Sequence, residues 1–138
     1  MTVAQVEAFF ERYARAFNRF DVDDICGLWA YPAFFAARGN RQSLTETEFQ
    51  QNVQALCAFY KAQGMARANA RVMDLAQLTE SVASVRTAYE LVGDNGATIA
   101  KWVHAYLISE TNNGLRIVAS LPEEEMAAWD ARGASMDS

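Results

Sequence analysis

The hydrophobic pattern of this chain changes period near its midpoint. Up to about Gly64, apolar residues recur at three- and four-residue steps; from Ala68 to Leu121 they alternate, with short turn signals between the runs. Steps of three and four line one stripe of a helix, whereas alternation lines one face of a strand. Turns too short for a crossover make successive strands antiparallel neighbours. The expected fold class is therefore α+β, with N-terminal helices packed on a strongly curved antiparallel sheet.

In the helical half, Thr2 and Gln5 fit a capping box. Val3, Val6, Phe9, Phe10, Tyr13, Ala14 and Phe17 then form an inward stripe, with Glu7, Glu11, Arg12, Arg15 and Arg19 on the opposite side. Asp21 can cap a short helix carrying Ile25, Leu28 and Trp29, which Pro32 ends. Ala33 to Arg38 is apolar, Gly39-Asn40 is a turn signal, and Arg41 to Leu44 can return as a short strand. Thr45 and Glu48 form a second capping box before a helix bearing Phe49, Val53, Leu56, Cys57 and Tyr60, which Gly64 stops.

The alternating half divides into strands near Asn69–Leu78, Ser81–Val92, Ala97–Glu110 and Leu115–Leu121. Taking the intervening residues as hairpin loops sets the register. Leu91 is expected opposite Thr98, Tyr89 opposite Ala100, Thr87 opposite Trp102, Val85 opposite His104 and Asp74 opposite Val85. Ile108 is expected opposite Ile117, Tyr106 opposite Ala119 and His104 opposite Leu121. A slip of one residue would exchange the faces. One face then gathers Asp74, Val85, Thr87, Tyr89, Leu91, Trp102, His104, Tyr106, Ile108, Ile117, Ala119 and Leu121. A long sheet coils, and helices seldom fill its concave face, so this face should border an apolar cleft with a few polar tips.

The other face mixes charges with Ile99, Val103, Ala105, Leu107 and Val118. That is too apolar for a wetted surface and points to a homodimer through the outer sheet face. Pro122 opens a last helix, Glu123–Trp129, so one domain is expected over residues 1–131, with 132–138 as a flexible tail.

Composition narrows the partners. A net charge of −5 and a pI near 4.8 argue against nucleic acid and against an anionic membrane. No apolar run approaches a membrane span, and Met1 to Gln5 lacks the start of a signal peptide, so the cytoplasm is expected. Cys26 and Cys57 have no metal-ligand spacing and read as buried reduced thiols, and a single histidine, His104, excludes a multi-histidine metal site. With no P-loop, dinucleotide fingerprint or nucleophile elbow, no cofactor is expected.

Helices followed by a curved antiparallel sheet resemble the nuclear transport factor 2-like superfamily, a cone-shaped, cystatin-like α+β barrel. Its members include ketosteroid isomerase, SnoaL-type polyketide cyclases and scytalone dehydratase. Locally, Arg12-Tyr13 through Asn18, Asp21-Val22-Asp23, Ile25 and Leu28-Trp29-Ala30 are similar to the family's opening, and Asn113-Gly114-Leu115-Arg116-Ile117-Val118 to a late strand. The ketosteroid isomerase resemblance puts Tyr13 at the position of an oxyanion donor and His104 near that of a second donor. It puts Ala36-Ala37 where that enzyme keeps its aspartate base, so that base is absent.

The candidate catalytic residues are accordingly His104 as general acid or base, Tyr13 as hydrogen-bond donor and Asp74 as a possible partner of His104. The candidate ligand wall is Trp29, Phe34, Tyr89, Trp102, Tyr106 and Ile117. Three functions stay open: an isomerase, cyclase or dehydratase acting on a hydrophobic carbonyl compound; a non-catalytic binder of a small apolar molecule; and a dimerisation module.

Overall fold

The computed structural model describes residues 1–136. Its elements run α1 (Val3–Asn18), α2 (Val22–Gly27), β1 (Trp29–Ala37), β2 (Asn40–Leu44), α3 (Glu46–Ala62), β3 (Met65–Gln77), β4 (Val82–Gly93), β5 (Thr98–Thr111), β6 (Gly114–Leu121) and α4 (Glu123–Ala131). The fold class is the expected α+β. Both capping boxes form: Thr2 and Gln5 bond reciprocally at 2.8 and 3.1 Å, and Thr45 and Glu48 at 2.9 and 3.2 Å. Asp21 caps α2 by accepting the Asp24 N–H at 3.0 Å, and Gly64 takes a φ of +84° just beyond α3. Asp24 then draws Arg12 and Arg19 at 2.9 and 3.1 Å, fixing α2 against α1.

The inward stripe of α1 is buried at Val6, Phe9, Phe10, Tyr13 and Ala14, but Val3, in the first turn, is 55% exposed. Val6, Phe9, Phe10 and Tyr13 form one core with Phe49, Val53 and Cys57 of α3 and with Val85, Tyr89, Tyr106, Ile108 and Ile117 of the sheet. A second cluster centres on Trp129 of α4, which is fully buried beside Tyr60, Leu91 and Ala100. No helix among the described residues is long and apolar enough to cross a membrane.

The sheet has six strands in the order β2-β1-β6-β5-β4-β3 and does not close. It is mixed, not purely antiparallel, because β1 runs parallel to β6, with Trp29 paired to Ile117 and Phe34 to Ala119. The apolar run from Ala33 and the return from Arg41 are the β1–β2 hairpin, turned through Arg38 and Gly39 at φ of +52° and +79°. That turn is held to α4, since the Arg38 N–H donates to Glu123 at 2.7 Å and its guanidinium to Asp130 at 2.6 Å.

Bulges decide which side chains face the helices, because each inserts one residue and bends its strand. Between β4 and β5, Leu91 pairs with Ala100, Tyr89 with Trp102, Thr87 with His104 and Val85 with Tyr106. The register differs from the expected one by two residues. One comes from the Gly93–Ala97 turn and one from a bulge at Ile99, so the face survives. A single bulge at Val118 of β6 has the opposite result: Ile108 still pairs with Ile117, but Tyr106 meets Ser120 in place of Ala119. Ser120 is turned inward and buried, and Leu121 is left 42% exposed. A bulge at Met73 of β3 likewise puts Val72 opposite Thr87 and Asp74 opposite Arg86.

Candidate functional site

Between the concave face of the sheet, α1, α3 and α4 lies a cavity of about 430 Å³. This falls within the ~300–1,000 Å³ range of small-molecule sites. Its wall is largely aromatic: Tyr13 and Phe17 of α1, Trp29 and Phe35 of β1, Phe49 and Tyr60 of α3, and Tyr89, Trp102 and Tyr106 of the sheet. Asn40 and Gln42 of β2 and Asn52 of α3 are exposed members of the lining, so the cavity opens between β2 and α3.

Two polar groups of neighbours break this apolar wall. In the first, His104 stacks on Tyr106 with ring centroids 4.3 Å apart and is 5% exposed. The Trp102 indole N–H donates to His104 Nδ1 at 3.1 Å, and His104 Nε2 lies 2.6 Å from Ser120 Oγ. An indole nitrogen can only donate, so Nδ1 must be the acceptor and the ring proton sits on Nε2, directed at Ser120. Burial pushes the His104 pKa down to about 3, which agrees with a neutral ring. Glu125 of α4 approaches the same nitrogen, its Oε1 3.8 Å from Nδ1. Its Oε2 accepts the Tyr60 hydroxyl and the Trp129 indole N–H. Glu125 is 4% exposed, and burial raises its pKa to about 7 against the lowering effect of these two donors.

The second group is phenolic. Tyr13 Oη accepts the Trp29 indole N–H at 3.1 Å, and among the described residues its own proton is free to donate. Tyr89 and Tyr106 share one hydrogen bond between hydroxyls at 2.8 Å, so one of their protons is also unspent. Burial raises the pKa of Tyr13, Tyr89 and Tyr106, keeping all three as neutral donors. A cavity with neutral donors on one wall and a carboxyl group on another can hold a polarised oxygen and exchange a proton beside it.

The structure brings Tyr13, Trp29, Tyr89, Trp102, His104 and Tyr106 to this one cavity. It does not bring Asp74, which the Met73 bulge turns outward, where it pairs with Arg86 at 3.2 Å with both side chains mostly exposed. Phe34 also points away and is 49% exposed, because alternation along β1 gives the inward place to Phe35. Ile117 is fully buried in the core and does not line the cavity. Sequence reasoning missed Ser120, hidden by the Val118 bulge, and Glu125, which resembles an ordinary acidic helix start. The signal for Glu125 was its spacing, four residues before Trp129 on one helix face. The expected flexible tail is residues 132–138; of these, Met136 borders the cavity and Ala134 donates its N–H to the Trp129 carbonyl at 2.9 Å, while residues 137 and 138 lie outside the described residues.

Helices on an open, bulged sheet around a cavity define an NTF2-like fold. A family model described as NTF2-like protein (DUF6841) matches residues 4–125, and the chain belongs to this family. The comparison with curated proteins gives no match. Among solved structures, the chain is similar to an NTF-2 like protein of unknown function from Shewanella oneidensis, at 14% identity and a TM-score of 0.67, covering 88% of this chain and 98% of that one. A ketosteroid isomerase-like protein from Erwinia carotovora atroseptica has 17% identity and a TM-score of 0.64 over 86% of this chain and 92% of that one. A domain of unknown function with a cystatin-like fold from Nostoc punctiforme has 18% identity and a TM-score of 0.68 over 88% and 77%.

Proposed function

We propose that this protein binds a small, hydrophobic carbonyl compound in the 430 Å³ cavity and acts on it as an isomerase, cyclase or dehydratase. The observation that carries this reading is the set of unspent neutral donors on an otherwise aromatic wall. Tyr13 keeps its proton because it accepts from Trp29, and the Tyr89–Tyr106 pair keeps one. Aromatic walls favour a flat apolar ligand, and a hydroxyl in a dry cavity favours a ligand oxygen that gains negative charge. Tyr13 is the donor in this reading. His104, with both ring nitrogens engaged, forms part of the wall and orders Trp102 and Ser120 around the ligand.

Fluorescence titration with bicyclic ketones tests the reading, since Trp29 and Trp102 border the cavity. Saturable quenching by ketones, weakened in Tyr13→Phe, supports it; equal binding of the parent hydrocarbons would remove the role given to the donors. A non-catalytic binder is the second reading, favoured by Ala36 and Ala37 at the strand position of the related isomerase's base.

The same proposal includes a homodimer through the outer sheet face. Val103, Ala105, Leu107 and Val118 are only partly covered there, beside a shallow groove lined by Phe34, Ala119 and Leu121. It also includes a cytoplasmic location, supported by the two cysteines, Cys26 and Cys57, being free thiols.

A further inference from the structure

We propose that Glu125 is the proton-transfer residue of this cavity, acting through Oε1 on the C–H beside the carbonyl of the bound compound. This rests on the reading of the cavity as a carbonyl site and goes beyond it by naming the base.

Four observations carry it. First, Glu125 lines the cavity, yet the acidic neighbours Glu123 and Glu124 are exposed on the helix surface. Second, its two oxygens are unlike. Oε2 is taken by the Tyr60 hydroxyl and the Trp129 indole, whereas among the described residues Oε1 has only His104 Nδ1 at 3.8 Å, beyond hydrogen-bond distance. Oε1 is therefore the oxygen with free lone pairs. Third, His104 cannot replace it, because the lone pair of Nδ1 receives the Trp102 N–H and Nε2 carries the proton held by Ser120. Fourth, the carboxyl group is held in place. Trp129, one helical turn on, is fully buried, and the β1–β2 turn grips α4 through Glu123 and Asp130.

The groups facing Glu125 are Tyr60 from α3, Trp129 from its own helix and His104 from β5, with Tyr13, Tyr89 and Tyr106 near enough to influence it electrostatically. None is a cation at neutral pH, which explains why burial raises its pKa to about 7. A base with that value suits proton transfer near neutrality.

The step is balanced within the site. Oε1 of the carboxylate takes the proton from the carbon beside the carbonyl, and the C–H electron pair moves to make the enolate. The enolate oxygen accepts a hydrogen bond from Tyr13 or from the Tyr89–Tyr106 pair. The Glu125 carboxylic acid then returns its proton to the same or a conjugated carbon, so no co-reactant is needed.

The test uses 2-tetralone, an apolar ketone with acidic C–H bonds, and reads deuterium uptake from D2O by NMR beside binding by fluorescence. Glu125→Gln is expected to slow enzyme-dependent exchange by roughly 10²–10⁴-fold while the tetralone Kd stays within about threefold. Tyr60→Phe removes a donor to the carboxylate, so the midpoint of the pH–rate profile should move upward from near 7. Binding without exchange in the wild type, or exchange undiminished in Glu125→Gln, overturns the role of Glu125 and leaves the carbonyl-site reading standing. Absence of any tetralone binding overturns both. Infrared spectroscopy gives a check independent of the probe: a neutral carboxyl band titrating near pH 7 and lost in Glu125→Gln is expected, and its absence in the wild type counts against the proposal.

Discussion

Glu125 Oε1 stands 3.8 Å from His104 Nδ1, both side chains are buried, and yet the two are not an ion pair. The Trp102 indole occupies Nδ1, so the imidazole stays neutral, and among the described residues the carboxyl group has no counter-charge to hold it ionised at low pH. Burial therefore works in opposite directions on the two residues, lowering the basicity of one and raising that of the other.

This has a consequence for stability against pH. The folded Glu125 holds its proton up to about 7, above its ordinary 4.5, so the fold loses stability as pH rises from about 4.5 through 7. The magnitude is on the order of 3 kcal/mol. His104 acts with the other sign: its folded value of about 3 lies below its ordinary 6.5, so its contribution is lost as pH falls from 6.5 through 3. Glu125→Gln removes only the first effect. Its stability advantage over the wild type should grow between pH 4.5 and 7.5 in denaturant titrations, and a pH-independent gap would contradict the raised carboxyl pKa.

Ser120→Ala leaves the His104 Nε2–H buried without its acceptor. A buried unsatisfied donor costs about 1–3 kcal/mol. Urea unfolding should show a loss of this size, whereas Ser109→Ala, half-buried on the outer side of β5, should lie within ~0.5 kcal/mol of the wild type.

Trp102→Phe frees Nδ1 for a proton, with Glu125 Oε1 at 3.8 Å to stabilise the resulting cation. The His104 resonances should titrate at a higher pH than the value near 3 in the wild type. An unchanged titration would show that the indole does not hold the neutral tautomer.

Asp74→Ala should be nearly silent. Its pairing with Arg86 is 65% and 60% exposed, and such surface pairs contribute about 0–1 kcal/mol. Ligand binding should not change, and a large loss of binding would bring Asp74 back to the site.

The outer face is tested by Phe34→Glu, placed at an exposed apolar position beside Ala119 and Leu121. Light scattering should report a dimer for the wild type and a monomer for the variant. A monomeric wild type would remove the interface.

The architecture was legible because its signals are local. Thr2 with Gln5, Thr45 with Glu48, and Gly64 at a helix end each act within a few residues, and alternation survives as long as a strand is regular. What the sequence concealed depends on bulges and on partners far along the chain. Nothing near Met73 or Val118 marks them as inserted residues, yet they send Asp74 out and Ser120 in. Tyr89, Trp102 and His104 lie on the expected face although their opposite partners differ from the expected ones, since the turn and the Ile99 bulge together shift the register by an even count. The parallel β1–β6 pairing joins strands separated by most of the chain, beyond any turn-based register. Glu125 gains its character only when α4 folds back over Tyr60 and His104.

The central claim, that the cavity is a carbonyl-compound site, is tested most directly by a crystal structure with 2-tetralone. The expected result is the bicyclic ring lying between Trp29, Tyr89 and Trp102, with its oxygen within hydrogen-bond distance of the Tyr13, Tyr89 or Tyr106 hydroxyl. A cavity of this size that stays without ketone at saturating concentration, or ketone bound with its oxygen away from all three hydroxyls, would contradict it.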